Sequence, residues 1–426
     1  MKFGGSSVGT PERINDVARI VLAEKESAIV VVSAFQGITN QLLECARLAE
    51  KNDKSYLTLH NKIAHRHLHA LDALHIQSLR SNVEAHLSDL HDALHGINLL
   101  RYSPPRAMDL VASFGERLSA LIIAAYINKS RTAAATDARD FIVTDDRFQN
   151  AAVQFTETNS RTKKYFNRLY KTRGKKCIAV VTGFIGATED GRTTTIGRNG
   201  SDYSAAILGA ALGTRIIEIW TDVDGVLSAD PCTARSAFVL PSLTYEEAME
   251  MSYFGASVLH SASIAPAVAQ SIPILIKNTL NPAASGTLIS KVAENRTGAA
   301  RGITSVDGIT LITLRGMSMV GVPGTAHRLF GALAAAHVNV ILISQASSEH
   351  TICFAVSSSD THNARKALAH EFRYELQSRL TSVDEKPSQT ILAVVGEGMR
   401  GTPGISGILF QTLGRNGINI SAIAQG

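Results

Sequence analysis

Short apolar runs alternate with amphipathic segments over the first 290 residues, and this alternation most restricts the fold. Ala28-Ile-Val-Val-Val, Cys177-Ile-Ala-Val-Val, Arg215-Ile-Ile-Glu-Ile-Trp and Pro273-Ile-Leu-Ile read as strands. Helical patterns over 11–25, 40–50, 113–128 and 203–212 lie between them. Such an order predicts an α/β domain with a mostly parallel sheet. Residues 51–100 break the pattern: they are rich in His and Leu and read as a helical insert.

A softer stretch, Asn281 to Gly302, is dominated by small residues, Pro and Gly and marks a domain boundary. Beyond it the chain repeats itself at an offset of 80 residues. Gly316 matches Gly396, Gly321 matches Gly401, and Pro323-Gly324 matches Pro403-Gly404. Leu329-Phe330 matches Leu409-Phe410, Leu333 matches Leu413, Asn339-Val340 matches Asn419-Ile420, and Gln345 matches Gln425. Each copy reads strand, Pro-Gly turn, amphipathic helix, Asn turn, strand. Two copies suggest a paired regulatory module, since a solenoid needs at least about three. The second copy stops one residue after Gln425, and only Met1 precedes Lys2-Phe-Gly-Gly. The expectation is a fragment of a longer protein, clipped at both ends.

Composition narrows the class. The chain has 426 residues, 45% hydrophobic and 19% charged, enough for two or three domains with sizeable cores. Disorder and collagen-like structure are excluded. No apolar run approaches a membrane span, and no signal segment opens the chain. The four cysteines are scattered without C-x-x-C spacing, so a reducing, cytoplasmic setting is expected. The net charge of +5 is small and spread out, with one short run from Lys171 to Lys176. Neither a nucleic-acid nor a membrane partner is expected.

Four segments could carry chemistry. Lys2-Phe-Gly-Gly-Ser-Ser-Val-Gly precedes a helix that Thr10-Pro11 can open, and free amides at such a turn attract phosphate. A plain glycine turn explains the same residues. In Gly197-Arg-Asn-Gly-Ser-Asp202, Arg198 can grip a carboxylate bidentately, while Ser201 or Asp202 could equally be a helix N-cap. Ser113 and Glu116 have capping-box spacing, which favours a structural role. Trp220-Thr-Asp-Val-Asp-Gly225 ends a strand, where α/β sheets bind ligands and where acidic turns are also ordinary. The His65/His69 and His91/His95 pairs read as a solvated helical face, because nothing completes a metal site.

Together these pieces resemble aspartokinases, of the amino-acid kinase family. The most specific segments are Lys2-Phe-Gly-Gly-Ser-Ser, Phe114-Gly-Glu-Arg-Leu-Ser119, Thr193 through Ser204, and Glu218 through Gly225. Tyr253-Phe-Gly-Ala and Ile276-Lys-Asn-Thr fit as well, and the repeat is similar to a pair of ACT domains. Val395-Gly-Glu-Gly-Met-Arg and Ile420 through Gly426 most resemble the bifunctional aspartokinase–homoserine dehydrogenases, with the dehydrogenase half absent.

The resemblance implies an amino-acid kinase fold over 1–295, ferredoxin-like ACT domains over 305–385 and 386–426 (the second incomplete), and assembly through the ACT domains. It implies ATP-dependent, Mg²⁺-assisted phosphorylation of the L-aspartate β-carboxylate, the first step toward lysine, threonine and methionine. By the same resemblance Lys2 stabilises phosphoryl charge and Gly4, Gly5 and Ser6 line the phosphate path. Asp202 organises Lys2, and Arg198 and Glu116 hold the substrate α-carboxylate and ammonium. Ser33, Thr39, Gly200 and Ser201 line that pocket, and Thr221 and Asp222 face the nucleotide. Gln345 and Gln425 mark the site of an amino-acid inhibitor, threonine first and lysine second. Leu227, Cys232, Ser257 and Ser261 depart from the usual Tyr, Arg, Lys and Pro; the two lost cations should weaken ATP binding. A catalytically weak amino-acid sensor and a sister amino-acid kinase are the alternatives.

Overall fold

Runs rich in Ile and Val form central strands of the first unit, such as Ile29–Val32 and Ile178–Thr182, because β-branched side chains pack well on a surface buried on both faces. The computed structural model describes all residues except 26, 255–258, 294–297, 317–322, 346–350, 379–380 and 426. Two units result, residues 1–297 and 298–426.

The first unit runs β1 (Lys2–Phe3), α1 (Pro11–Ala23), β2 (Ile29–Val32), α2 (Ile38–Glu50), α3 (Ser55–Ala73), α4 (Arg80–Leu100), α5 (Pro105–Asn128), β3 (Ala133–Thr136) and β4 (Val143–Thr144). It continues through α6 (Phe155–Arg173), β5 (Ile178–Thr182), β6 (Ile185–Thr188), β7 (Thr193–Thr195), α7 (Gly200–Leu212) and β8 (Ile217–Thr221). It closes with β9 (Ser242–Thr244), α8 (Tyr245–Tyr253), α9 (Ser261–Ala269), β10 (Ile274–Asn278) and β11 (Thr287–Ser290). Eight strands pair in the order β3-β5-β2-β1-β8-β10-β11-β9, parallel throughout except between β10 and β11. Strands β4, β6 and β7 form a small second sheet.

The expected insert is a helical hairpin, α3 and α4, that shares one apolar core with α1, α2 and α5. His65 and His69 stack with centroids 6.3 Å apart, as do His91 and His95 at 6.2 Å. No group of three or more metal-ligating side chains occurs among the described residues.

Helix α5 corrects two expectations. It starts at Pro105 rather than at residue 113, with Pro at its first position. Ser113 therefore lies mid-helix, where its Oγ donates to Leu110 O at 2.7 Å, and it caps nothing. Nor are long apolar stretches lacking: an 18-residue window of α5 has a mean hydropathy of 1.5, enough by length and composition to cross a membrane. That window is 72% buried within the fold, as a core helix is. Asp109 anchors it. This buried carboxylate accepts from Gln149 N, Thr195 N and Thr195 Oγ1 at 2.9–3.1 Å, tying α5 to β7.

The second unit comprises β12 (Gly302–Gly316), α10 (Thr325–Ala335), β13 (Leu342–Gln345), β14 (Thr351–Ser357), α11 (Thr361–Glu371), α12 (Arg373–Gln377), β15 (Thr381–Val395) and α13 (Ile405–Arg415). Its antiparallel sheet has the order β13-β14-β12-β15. Leu329 and Leu333 of α10 and Leu368 of α11 are buried with Ile312, Leu314 and Phe354 of the sheet. The boundary expected at 385/386 falls inside β15, close to Pro387 and to Ser388 with its φ of 57°. There the pairing with β12 shifts register. Of the repeat, Gly321 lies outside the described residues.

Asp109→Ala should lower stability by about 3 kcal/mol, because it strands the buried amide and hydroxyl of Thr195 and frees the loop at Gln149. Trp220 is the only tryptophan, so its fluorescence in a urea titration reads the first unit. A free energy within about 0.5 kcal/mol of wild type would refute the anchor role.

Candidate active site

Strand β1 sits between β2 and β8, and all three run parallel. Connections that leave a strand on opposite sides open a crevice at its carboxyl end. The loops after β1, β2, β5, β8 and β10 all emerge at that edge.

Lys2 points its ammonium at Asp202, with Nζ 2.7 Å from Oδ1 and both side chains largely buried. Asp202 is not an N-cap. Helix α7 begins at Gly200, earlier than its sequence pattern suggests, and Asn199 with φ 53° occupies the cap. Asp202 thus lies in the first turn, where the helix dipole favours a carboxylate. Beyond Lys2, Gly4 N donates to Trp220 O, while Ser7 N and Val8 N turn back to Gly4 O and Gly5 O. The amides of Gly5 and Ser6 donate to no described acceptor. Two such N–H groups beside a lysine suit a phosphate. A cleft of about 330 Å³ opens here, lined by Ser6, Ser7, Arg13, Thr221, Asp222 and Thr279. A larger depression of about 790 Å³ lies at the opposite edge, lined by Lys25, Arg131, Arg173, Lys175 and Lys176, and holds none of these residues.

The other half of the site surrounds Glu116. This carboxyl is 3% exposed; its Oε1 accepts from Ala34 N at 3.2 Å, and its Oε2 has no partner among the described residues. Burial pushes its pKa up to about 8, against the opposing hydrogen bond from Ala34. Next to Ala34, Ser33 Oγ donates to Ser201 Oγ at 2.9 Å. Gly183 presses on the same serine so closely that a Cβ there would stand 2.5 Å from Ser201 Oγ. Contacts therefore run unbroken through Glu116, Ala34, Ser33, Ser201, Asp202 and Lys2.

Other expected residues are less engaged. Thr39, in the first turn of α2, makes no side-chain hydrogen bond, and exposed Arg198 pairs with nothing among the described residues. Thr221 Oγ1 donates to Asp222 Oδ1 at 3.1 Å at the cleft rim. Leu227 bridges to Val239, Cys232 is exposed with its amide on Asp230 Oδ1, and Ser257 lies outside the described residues. Ser7 and Thr279, whose buried hydroxyls meet at 2.7 Å across the cleft, and Asn278, which donates to Asp224 at 2.7 Å, had no role in the sequence reading. The Ile276-Lys-Asn-Thr motif was the available signal. In the second unit Gln345 and Gln425 are both exposed, and Ser344 Oγ donates to Ile423 O at 3.1 Å, joining their segments.

Known proteins are similar to this chain in sequence and fold. The profile of the amino acid kinase family matches residues 1–278. The chain belongs to the amino acid kinase family. An ACT domain profile matches 312–372 and 392–426. The chain is 39% identical over 438 residues to the chloroplastic bifunctional aspartokinase/homoserine dehydrogenase 1 of Arabidopsis thaliana, a match covering 100% of the chain and 48% of that protein. The chain thus spans about half the length of its bifunctional relatives. It is 33% identical to aspartokinase 3, chloroplastic, of the same plant, covering 100% of the chain and 76% of that protein. E. coli aspartokinase III with aspartate and ADP superposes at TM-score 0.82 and 29% identity, over 100% of this chain and 93% of that one. The same enzyme with lysine and aspartate gives 0.81 and 30%, over 100% and 92%.

The raised pKa of Glu116 fixes a pH dependence. A proton bound more tightly in the folded state stabilises it fully below about 4.5, and that contribution is lost as pH rises to about 8. Glu116→Gln carries no such loss. Its stability relative to wild type should grow by a few kcal/mol from pH 5 to pH 8, read by urea titration. A difference that stays constant with pH would contradict the buried, raised carboxyl.

Proposed function

We propose that this chain is the catalytic and regulatory region of an aspartate kinase, transferring the γ-phosphoryl of ATP to the β-carboxylate of L-aspartate to give 4-phospho-L-aspartate. The observation that carries the reading is the buried Lys2–Asp202 pair, joined by unbroken contacts to the unpartnered carboxyl of Glu116. The E. coli relative bound to aspartate and ADP supports the same pair of ligands here.

The attacking carboxylate is ionised at neutral pH, so no general base is needed. The residues supply position and charge instead. Lys2, held by Asp202, neutralises the phosphoryl oxygens in flight, and the Gly5 and Ser6 amides hold the phosphate chain. Mg²⁺ enters with ATP as part of the nucleotide substrate. Thr221 and Asp222 face the nucleotide. Glu116 receives the aspartate ammonium, which supplies the missing partner for Oε2 and draws the carboxyl into its ionised form. Arg198, exposed and unpaired, takes the α-carboxylate, and Ser33, Thr39, Gly200 and Ser201 shape the pocket between. The product enters the lysine, threonine and methionine routes, in a reducing compartment that four free cysteines tolerate.

The second unit is proposed as the regulatory part, binding an amino-acid inhibitor beside Gln345 and Gln425 and joining chains into an oligomer. Threonine is the first candidate, and lysine, present in the E. coli T-state complex, is the second.

Trapping the acyl phosphate with hydroxylamine tests the reaction. Hydroxamate should require both aspartate and ATP, and Asp202→Asn should lower its rate by at least about a hundredfold with KM values changed little. A folded protein that yields none would move the assignment to an amino-acid sensor. Gln345→Ala should leave the uninhibited rate intact and raise the inhibitor concentration needed for half inhibition by about tenfold or more. Identical inhibition curves would remove Gln345 from the effector site.

A further inference from the structure

The helical insert takes no part in the chemistry described above, yet one of its side chains reaches the rim of the site. Arg66 on α3 lies over Phe35, with its guanidinium carbon 6.0 Å from the ring centre. Its Nη1 donates to Gln36 O at 2.7 Å and its Nη2 to Gly9 O at 2.8 Å. Gly9 belongs to the loop after β1 and Gln36 to the loop after β2. Both line the 330 Å³ cleft beside Ser6 and Ser7. The two loops are in contact: a Cβ on Gly9 would lie 3.2 Å from both Gln36 Cβ and Gly5 O. The adjacent His67 is fully buried, stacks on Phe35 with centroids 4.9 Å apart, and bonds Ile63 O at 2.8 Å. The turn bearing Arg66 is thereby fixed.

We propose that Arg66 is a positioning residue for phosphoryl transfer. Its guanidinium fork holds the loop bearing Gly4, Gly5 and Ser6 in register with the loop bearing Ser33. The proposal rests on the kinase reading above. A planar fork can reach two carbonyls at once, whereas a lysine offers one nitrogen. The bond to Gln36 O is solvent-exposed and water can replace it, while the bond to Gly9 O is half-buried, so removal should cost only modest stability. Misplacing reacting groups by about 1 Å, in contrast, costs up to about a hundredfold in rate.

The test compares wild type, Arg66→Ala and Arg66→Lys in the hydroxamate assay and in thermal unfolding, with and without millimolar guanidinium. Arg66→Ala should unfold near the wild-type temperature and lose at least about tenfold in kcat. It should regain part of that rate with guanidinium, and Arg66→Lys should fall between. A kcat within about twofold of wild type overturns the proposal. So does a rate loss that tracks a lowered unfolding temperature in both variants, or a loss that guanidinium leaves unchanged. A wild type that yields no hydroxamate overturns the kinase reading instead. Titration with Mg·ATP, followed by Trp220 fluorescence, then decides for Arg66 alone: weakened binding by folded Arg66→Ala sustains loop positioning, and unchanged affinity removes it.

Discussion

Helix α5 can pack its length against β3 and β5 of the parallel sheet only because its buried charged residues find partners from other segments. Asp109 is met by the amides of Gln149 and Thr195, and Glu116 by the amide of Ala34. Arg117 stacks 4.7 Å over Phe114 and approaches Asp137 at 3.8 Å. Burying an ionisable group without such contacts costs several kcal/mol. Each contact therefore also fixes a position: the loop after β2 is drawn to α5 through Glu116, and α7 is drawn to that loop through Ser201. The site is a consequence of how the core helix is neutralised.

The neutralisation is incomplete at one point. Glu116 keeps an oxygen without a partner and is held protonated near neutrality by burial alone. A protein selected only for stability would place an apolar residue or a second donor there. In the proposed reaction the substrate ammonium supplies that donor and turns a cost in the empty protein into binding energy. Lys2 and Asp202 differ, being already paired, so their charges are fixed in place in advance, as the proposed transfer requires.

Much of this was legible in the sequence, for physical reasons. Strands such as Val30–Val32 and Ile178–Val181 are rich in β-branched residues and buried on both faces, so an apolar run sufficed to find them. The Thr10-Pro11 helix start was legible because the cap and the Pro act locally, and Thr10 does accept from Arg13 N. The start of α5 was not: residues 105–112 become helical through tertiary burial, and capping-box spacing at Ser113 and Glu116 mimicked a terminus inside a helix. The cap of α7 was missed because Asn199 takes a left-handed conformation that a sequence does not announce. Arg66 was invisible for a related reason: its partners are backbone carbonyls 57 and 30 residues away, and carbonyls have no sequence signature.

The repeat shows how far equal sequence carries equal environment. Leu329 and Leu333 of α10 are buried under β14 and α11. Their counterparts Leu409 and Leu413 on α13 are only partly covered, and Ile408 is 68% exposed. The two copies nevertheless share a sheet, because the strand opening the second, β15, pairs along the strand opening the first, β12. The irregularity at Pro387 and Ser388 lets one pair of long strands serve both, with a separate register on either side of it. The pairing joins both copies in one sheet: β15 pairs with β12, β12 with β14, and β14 with the edge strand β13 that carries Gln345.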